Sequence, residues 1–164
     1  MRGVFVDANE SLAVIFDRLR KSGDPDVSVH LNPDITPEQY PAILHGAEIA
    51  VIDHTALPTA IAKQCKGLKD VVFLGTGARS YMNPEELAAA GIEVHLIKGY
   101  GDTAVAECAI SLMWEGARGL AKMDRGIRAG NWLRDDAMQL TGKTLGLIGY
   151  GGIAAEVARI ARGS

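Results

Sequence analysis

Short apolar runs alternate with helical patterns through the first hundred residues. The third run, Ile49–Ile52, is apolar at every position, which is typical of a parallel strand covered on both faces. The helical patterns begin at capping or proline residues such as Asn83 and Pro84 and end at turn residues such as Gly91. The predicted strands are residues 4–6, 27–31, 49–52, 71–74 and 92–97.

This alternation predicts an α/β fold. Parallel strands joined by helices take right-handed crossovers and form an open sheet with helices on both faces. We therefore predict a flavodoxin-like, doubly wound parallel sheet of five strands, in the order 2-1-3-4-5.

A different pattern begins near Thr103. Residues 103–129 are predicted to form one long helix with a polar stripe, while apolar side chains cover much of the remaining surface. So broad an apolar surface must be buried on more than one side. Gly116 and Gly119 each weaken such a helix by roughly 1 kcal/mol relative to alanine, so a kink or a close helix contact is predicted there.

A second βα unit follows a linker that contains Trp132. It consists of a predicted strand at residues 144–148, a glycine-rich turn at 149–154 and a helix at 155–162. We predict two parts in the chain. Residues 1–100 form the flavodoxin-like domain, and residues 101–164 form the long helix and an incomplete, truncated Rossmann unit.

Composition and charge narrow the class of protein. The 164 residues suit one domain with a short addition, and 48% hydrophobic with 23% charged residues is ordinary for a globular chain. A net charge of −3 argues against a nucleic-acid partner. The sequence has neither a signal-peptide pattern nor a membrane-length apolar run, which predicts a cytoplasmic protein. Cys65 and Cys108 are interpreted as reduced core residues.

The turn after the sixth predicted strand carries Gly149-x-Gly151-x-x-Ala154, the pattern of a dinucleotide-binding loop. The first glycine permits the tight turn, the second lets a pyrophosphate approach the backbone, and the third position needs only a small residue. Free N–H groups at the start of the next helix then bind phosphate. The acidic residue that usually binds the ribose lies about 20 residues further on, beyond Ser164.

A second glycine-rich segment, Gly75-Thr76-Gly77-Ala78, follows the fourth predicted strand. Its backbone N–H groups could form an anion-binding site at the carboxyl end of the sheet, where ligands bind in open α/β folds. It could equally be a βα turn that needs glycine for its backbone angles. The residues alone leave both interpretations open.

Polar residues should cluster at the same edge, namely Asp7, Asp53, Thr76 and Lys98. This set resembles a response-regulator receiver domain with Asp53 as the acceptor, but Val6 and Ala8 flank Asp7 where a receiver has an acidic pair. Capping of turns is the simpler interpretation of the aspartates. No metal-binding spacing is found among the histidines, which are His30, His45, His54 and His95.

An ordered series of motifs extends from Gly75 to Gly151. After Gly75-Thr76-Gly77, the series runs through Gly99-Tyr100, Val105-Ala106-Glu107, Arg118, Gly130-x-Trp132 and Leu140-Thr141-Gly142-Lys143-Thr144-Leu145-Gly146-Leu147-Ile148-Gly149-x-Gly151. In this order the chain resembles the N-terminal part of the D-isomer-specific 2-hydroxyacid dehydrogenases.

The resemblance implies a two-domain oxidoreductase that uses NAD or NADP and a small 2-hydroxy or 2-keto acid. It places the substrate at Thr76, Gly77, Ala78 and Tyr100. The pyrophosphate of the cofactor would lie against the dinucleotide loop, at Gly149, Gly151, Gly152 and Ile153. The resemblance also implies that the long helix lies at a homodimer interface.

Departures from the family pattern limit what carries over. Relatives often have an arginine near Asp53 and an aspartate near Arg79, and the catalytic arginine, glutamate and histidine of the family lie beyond the part matched here. We therefore expect no catalytic residue, no activity and weak or no cofactor binding in this chain.

We also expect either a dimer, with elements exchanged between chains, or a disordered tail after about Gly130. The alternative function is a stand-alone flavodoxin-like binding or scaffold module.

Overall fold

The fold is described from a computed structural model, which covers residues 1–134 and 136–163. The chain forms two compact units that divide between Lys98 and Gly99. No helix in the described residues combines the length and the apolar character needed to cross a membrane.

A five-stranded parallel sheet forms the centre of the first unit. The order β2-β1-β3-β4-β5 confirms the predicted doubly wound topology. Each strand lies within one or two residues of its predicted position. The strands are β1 (Arg2–Phe5), β2 (Asp26–Val29), β3 (Ile49–Ile52), β4 (Asp70–Phe73) and β5 (Glu93–Leu96).

Short helices connect the strands, and local capping explains where they begin. The Asn9 side chain accepts the Leu12 N–H at 2.8 Å, and the Asn83 side chain accepts the Glu86 N–H at 3.2 Å. Single 3-10 turns occupy Pro37–Gln39 and Ala78–Ser80. The helices of this unit are α1 (Glu10–Leu19), α2 (Tyr40–Ile43), α3 (Thr59–Ala62) and α4 (Pro84–Ala89).

Two apolar layers cover the sheet, because successive strand residues point to opposite faces. Val4, Val71 and Phe73 belong to the larger layer, which also holds Leu44 and Leu87. The smaller layer lies on the other face, and its buried members are Phe5, Ala8, Val27 and Val51. All four residues of β3 are buried, as the continuous apolar run predicts.

The second unit is helical in the described residues, with α5 (Asp102–Arg118), α6 (Leu120–Arg128) and α7 (Gly152–Ala161). The single helix predicted over residues 103–129 is divided into α5 and α6 at Gly119, one of the two glycines where a kink was predicted, because Gly119 adopts φ +64° and ends α5. The predicted weakness at this glycine is therefore a complete break. Helices α5 and α7 pack through a small core formed by Ala106, Ile110 and Val157.

The helical period explains a second correction. Ala106 and Ile110 lie on the face of α5 that packs against α7, whereas Cys108 is half a turn away. Cys108 is accordingly exposed, not a core residue as predicted, while Cys65 is buried as expected.

The predicted strand at residues 144–148 is also wrong. The segment has no regular secondary structure, and Leu145, Leu147 and Ile148 are exposed. A strand needs a neighbouring strand to bond its backbone N–H and C=O groups. The described part of the second unit contains no strand, so the apolar run remains irregular. The helix predicted after it is present as α7.

Candidate functional site

The loops that follow β1, β3 and β4 lie together at the carboxyl edge of the sheet. β3 pairs with β4 in register, with Ile52 opposite Phe73. The ladder continues one step further, since the Leu74 N–H donates to the Ile52 carbonyl at 2.9 Å. Asp53 and Gly75 therefore begin adjacent loops at the edge where α/β proteins bind ligands.

Asp7 is a buried residue at this edge of the sheet, and it bonds the loop after β3. Its side chain has no solvent exposure. Its Oδ1 accepts the Asp53 N–H at 2.8 Å, and its Oδ2 accepts the N–H groups of His54 and Thr55 at 2.9 and 2.8 Å. Both carboxylate oxygens thus bond backbone donors of the loop after β3. The predicted capping chemistry is present at Asp7, although the turn that Asp7 caps follows β3 and not β1.

Tyr40 also forms a hydrogen bond with the loop after β3. Its hydroxyl donates to the Thr55 carbonyl at 3.1 Å, and the ring is fully buried. Burial, together with the charge of Asp7, raises the pKa of the Tyr40 hydroxyl well above its usual range. The phenol therefore stays protonated and remains a donor to Thr55.

His54 joins two loops at this edge. Its Nδ1 lies 3.1 Å from Asp53 Oδ2, and its Nε2 lies 2.8 Å from the Pro33 carbonyl oxygen. The hydrogen bond to Asp53 is the main reason that the pKa of His54 is raised. A protonated ring can donate to both partners at once, so this charge state favours the link between the loops.

The segment from Gly75 to Ala78 turns from β4 into a 3-10 turn. Gly75 and Gly77 do not have positive φ in this structure, so the interpretation that these glycines serve backbone angles is wrong. Gly75 is required by a close approach instead, since a Cβ there would lie 2.5 Å from Phe73 Cε1. A Cβ on Gly77 would meet nothing within 4 Å, and Thr76 and Gly77 are both exposed, so a ligand can approach this turn.

Arg79 lies at the end of this segment but is engaged elsewhere. Its guanidinium forms a two-point ion pair with Glu85, with Nη1 2.9 Å from Oε2. This hydrogen bonding lowers the pKa of Glu85. Both side chains are exposed, and each neutralises the charge of the other.

The remaining predicted site residues lie in the second unit. Tyr100 precedes α5, and its side chain is 60% exposed. Gly149 adopts φ +83°, which the tight turn of a dinucleotide loop requires of its first glycine. Gly151 is the N-cap of α7, and Gly152 and Ile153 form its first turn.

The free space around the glycines of this loop shows whether a pyrophosphate could approach the backbone. A Cβ on Gly149 or Gly151 would meet nothing within 4 Å, so the backbone there is approachable. The first-turn N–H groups of α7 have no partner within the helix, which is the usual basis for phosphate binding. The residues present therefore fit a dinucleotide phosphate, with Gly149, Gly151, Gly152 and Ile153 as the residues that would hold it.

One group of side chains with atoms that could bind a metal ion was not predicted from the sequence. Ligand atoms of Asp70, Glu93 and His95 lie within 4.8 Å of one another, and His95 Nε2 is 2.7 Å from Asp70 Oδ1. Two neighbouring strands contribute these residues, because Asp70 is in register with Glu93. Spacing along the chain could not reveal the group. Strand register could have done so, once β4 and β5 were known to be adjacent.

Part of the chain matches a known protein family, and most of its length aligns with curated relatives. Residues 110–164 match the family described as "D-isomer specific 2-hydroxyacid dehydrogenase, NAD binding domain". The chain is 30% identical over 132 residues to a glycerate dehydrogenase of Methylorubrum extorquens, an alignment that covers 76% of this chain and 42% of that protein. A hydroxypyruvate reductase of Thermotoga maritima is 32% identical over 135 residues, which cover 80% of this chain and 42% of that protein.

The fold comparison extends over nearly the whole chain. The crystal structure of the TT0316 protein from Thermus thermophilus superposes with a TM-score of 0.83 at 25% identity, covering 99% of this chain and 53% of that one. The chain thus spans less than half of the two curated relatives named above and about half of this solved structure.

Proposed function

This chain belongs to the D-isomer-specific 2-hydroxyacid dehydrogenase family, and we propose that it forms the substrate-carboxylate site and the first part of the cofactor site of such an enzyme. The substrate is a small 2-hydroxy or 2-keto acid. The observation that carries the proposal is the exposed turn at Thr76 and Gly77, with open space at Gly77 and the Phe73 ring packed beside Gly75.

The two glycine-rich loops bind different parts of the reactants. The N–H groups of Thr76, Gly77 and Ala78 donate to the substrate carboxylate, and they orient carbon 2 by fixing the carboxylate plane. Gly149, Gly151, Gly152 and Ile153 hold the pyrophosphate of NAD or NADP, which supplies hydride acceptor or donor chemistry when bound.

Hydride transfer needs more than these residues. The hydride of carbon 2 must leave together with a hydroxyl proton, and the resemblance assigns proton transfer and carbonyl polarisation to a histidine, a glutamate and an arginine outside the matched part of the family. We therefore propose that the 164 residues alone bind a carboxylate but turn over no substrate.

Oxalate, an unreactive dicarboxylate, tests the carboxylate site. Gly77→Pro removes one backbone donor, whereas Gly77→Ala keeps the donor and adds a methyl group in open space. We expect oxalate, titrated by amide NMR, to shift residues 76–78 in the Ala variant, and we expect at least about tenfold weaker binding in the Pro variant. Circular dichroism checks that both variants fold.

Two outcomes would contradict the proposal. Equal oxalate affinity in both variants would exclude the backbone site. Oxidation of NADH by glyoxylate or hydroxypyruvate at an enzyme-like rate would show that the chain is active by itself.

We further propose that a second copy of the chain covers α5. Val105, Cys108 and Leu112 are spaced three and four residues apart, form one stripe on this helix and are exposed. Residues 144–148 carry further exposed apolar side chains and are the segment that exchange between copies would cover.

Sedimentation equilibrium tests this arrangement. We expect a dimer for the unmodified chain and a monomer for Leu112→Glu, because a carboxylate in an apolar interface is costly to desolvate. Ser111→Glu introduces the same charge one position away, on the polar stripe, and should leave the dimer intact. A monomeric unmodified chain at all concentrations would exclude the interface.

A further inference from the structure

The carboxylate of Asp102 lies against the backbone of Gly152. Asp102 is the first residue of α5, and Gly152 is the first residue of α7. A Cβ on Gly152 would lie 2.8 Å from Asp102 Cγ, and it would also overlap one carboxylate oxygen. Glycine is thus the residue that leaves room for Asp102 at this position.

Packing between the two helices fixes this contact. Ala106 and Ile110 of α5 form a buried core with Val157 of α7, and Ile153 packs against it. Next to Asp102 in the chain, the Thr103 hydroxyl lies 3.5 Å from Glu156 Oε2. The two helices therefore begin at the same end of the pair, and Asp102 is held beside the first turn of α7.

The electrostatics of this position favour an anion. The N-terminus of an α-helix carries a partial positive charge and unbonded N–H groups, which stabilise a nearby carboxylate or phosphate. The Asp102 carboxylate already occupies this environment at Gly152. A dinucleotide pyrophosphate on Gly151, Gly152 and Ile153 would bring a second negative charge to the same helix end.

We propose that Asp102 is a built-in anion that competes with a dinucleotide pyrophosphate for the N-terminus of α7, and so sets the affinity of this loop for the cofactor. The inference rests on the proposed function in one respect, namely that the loop of Gly149–Ile153 is a pyrophosphate site. In the free protein the carboxylate stabilises the helix end. A bound pyrophosphate must either displace this carboxylate or tolerate its charge.

Neutralising Asp102 tests the competition directly. We expect Asp102→Asn to bind inorganic pyrophosphate at least about tenfold more tightly than the unmodified chain, since the repulsion between two unit charges a few ångströms apart corresponds to about this factor in water and to more near a protein surface. NADH should show the same direction of change. The readout is the dissociation constant from amide NMR titration, with shifts expected at Gly151, Gly152 and Ile153.

A matched control separates this effect from net charge. Glu10→Gln removes one negative charge from the first turn of α1, in the other unit, and should leave pyrophosphate affinity unchanged. Asp102→Ser provides a second neutral variant, and thermal melting verifies that all variants fold. Gly152→Ala should displace the carboxylate while placing a methyl group in the phosphate position, so it should not reproduce the gain.

Several results would overturn the proposal. These are equal affinities in the unmodified chain and both neutral variants, no detectable binding in any of them, or a gain whose shifts lie outside Gly151–Ile153. Oxalate titration at Thr76–Ala78 is a separate measurement. Loss of oxalate binding with a retained gain at Asp102 would reject only the carboxylate part of the proposed function, whereas oxalate binding without a gain at Asp102 would reject only this inference.

Discussion

Replacing Asp7 by alanine is expected to lower the free energy of unfolding by about 3–5 kcal/mol, because each buried donor left without a partner costs about 1–3 kcal/mol. The Asp7 carboxylate accepts the backbone N–H groups of Asp53, His54 and Thr55. Alanine cannot accept any of them, and the fully buried position gives water little access. A loss of this size is a large part of the stability of an ordinary domain.

Two further variants show whether the bonds to the loop are responsible. Asp7→Asn keeps the shape and one carbonyl oxygen but turns an NH2 group towards backbone donors, so we expect an intermediate loss. Asp53→Asn changes a partly exposed carboxylate that pairs with the His54 ring, and it should cost about 1 kcal/mol or less. Urea denaturation followed by circular dichroism measures all three. Equal stabilities of Asp7→Ala and Asp53→Asn would reject the capping role.

The sheet could be predicted from sequence because its signals are local. Ile49–Ile52 is a continuous apolar run, and Asn83 followed by Pro84 marks the start of a helix. The right-handed crossover rule then limits the order of strands. The chain follows this expectation, with β1 between β2 and β3.

Features that depend on distant partners could not be predicted in the same way. The apolar run at residues 144–148 has the composition of a strand, but a strand forms only where another strand bonds it. The role of Gly75 depends on the position of the Phe73 ring, not on its own φ. The contact between Asp102 and Gly152 joins residues 50 positions apart through the packing of two helices.

The site residues show the same limit. Turn chemistry at Asp7 was predictable as a type of interaction, but the three donors that share its carboxylate come from a loop more than 40 residues away. The position of Thr76 and Gly77 at the carboxyl edge follows from strand order alone. Whether their backbone is open depends on neighbouring side chains, which a periodic pattern does not specify.

Phe73→Ala is expected to lower the free energy of unfolding by about 3–5 kcal/mol, the usual range for removing a buried aromatic ring. Phe73 is 2% exposed, and its ring centroid lies 5.0 Å from that of Tyr81. The Phe73 ring also packs beside Gly75 and limits movement of the turn that follows it. We therefore expect weaker oxalate binding at residues 76–78 in this variant. Denaturant unfolding and the oxalate titration measure the two effects.

Gly75 allows the contact with Phe73 to be tested separately. A Cβ on Gly75 would lie 2.5 Å from Phe73 Cε1 and 3.0 Å from Cζ, so Gly75→Ala alone should cost about 1–3 kcal/mol through overpacking. In the Phe73→Ala background the added methyl group has space, and the double variant should be more stable than the sum of the two losses predicts. Gly77→Ala adds a methyl group in open space and should change stability by no more than about 0.5 kcal/mol. Strict additivity of the Gly75 and Phe73 variants would mean that the ring does not set the space at Gly75, and the carboxylate site would then lack the rigid support proposed for it.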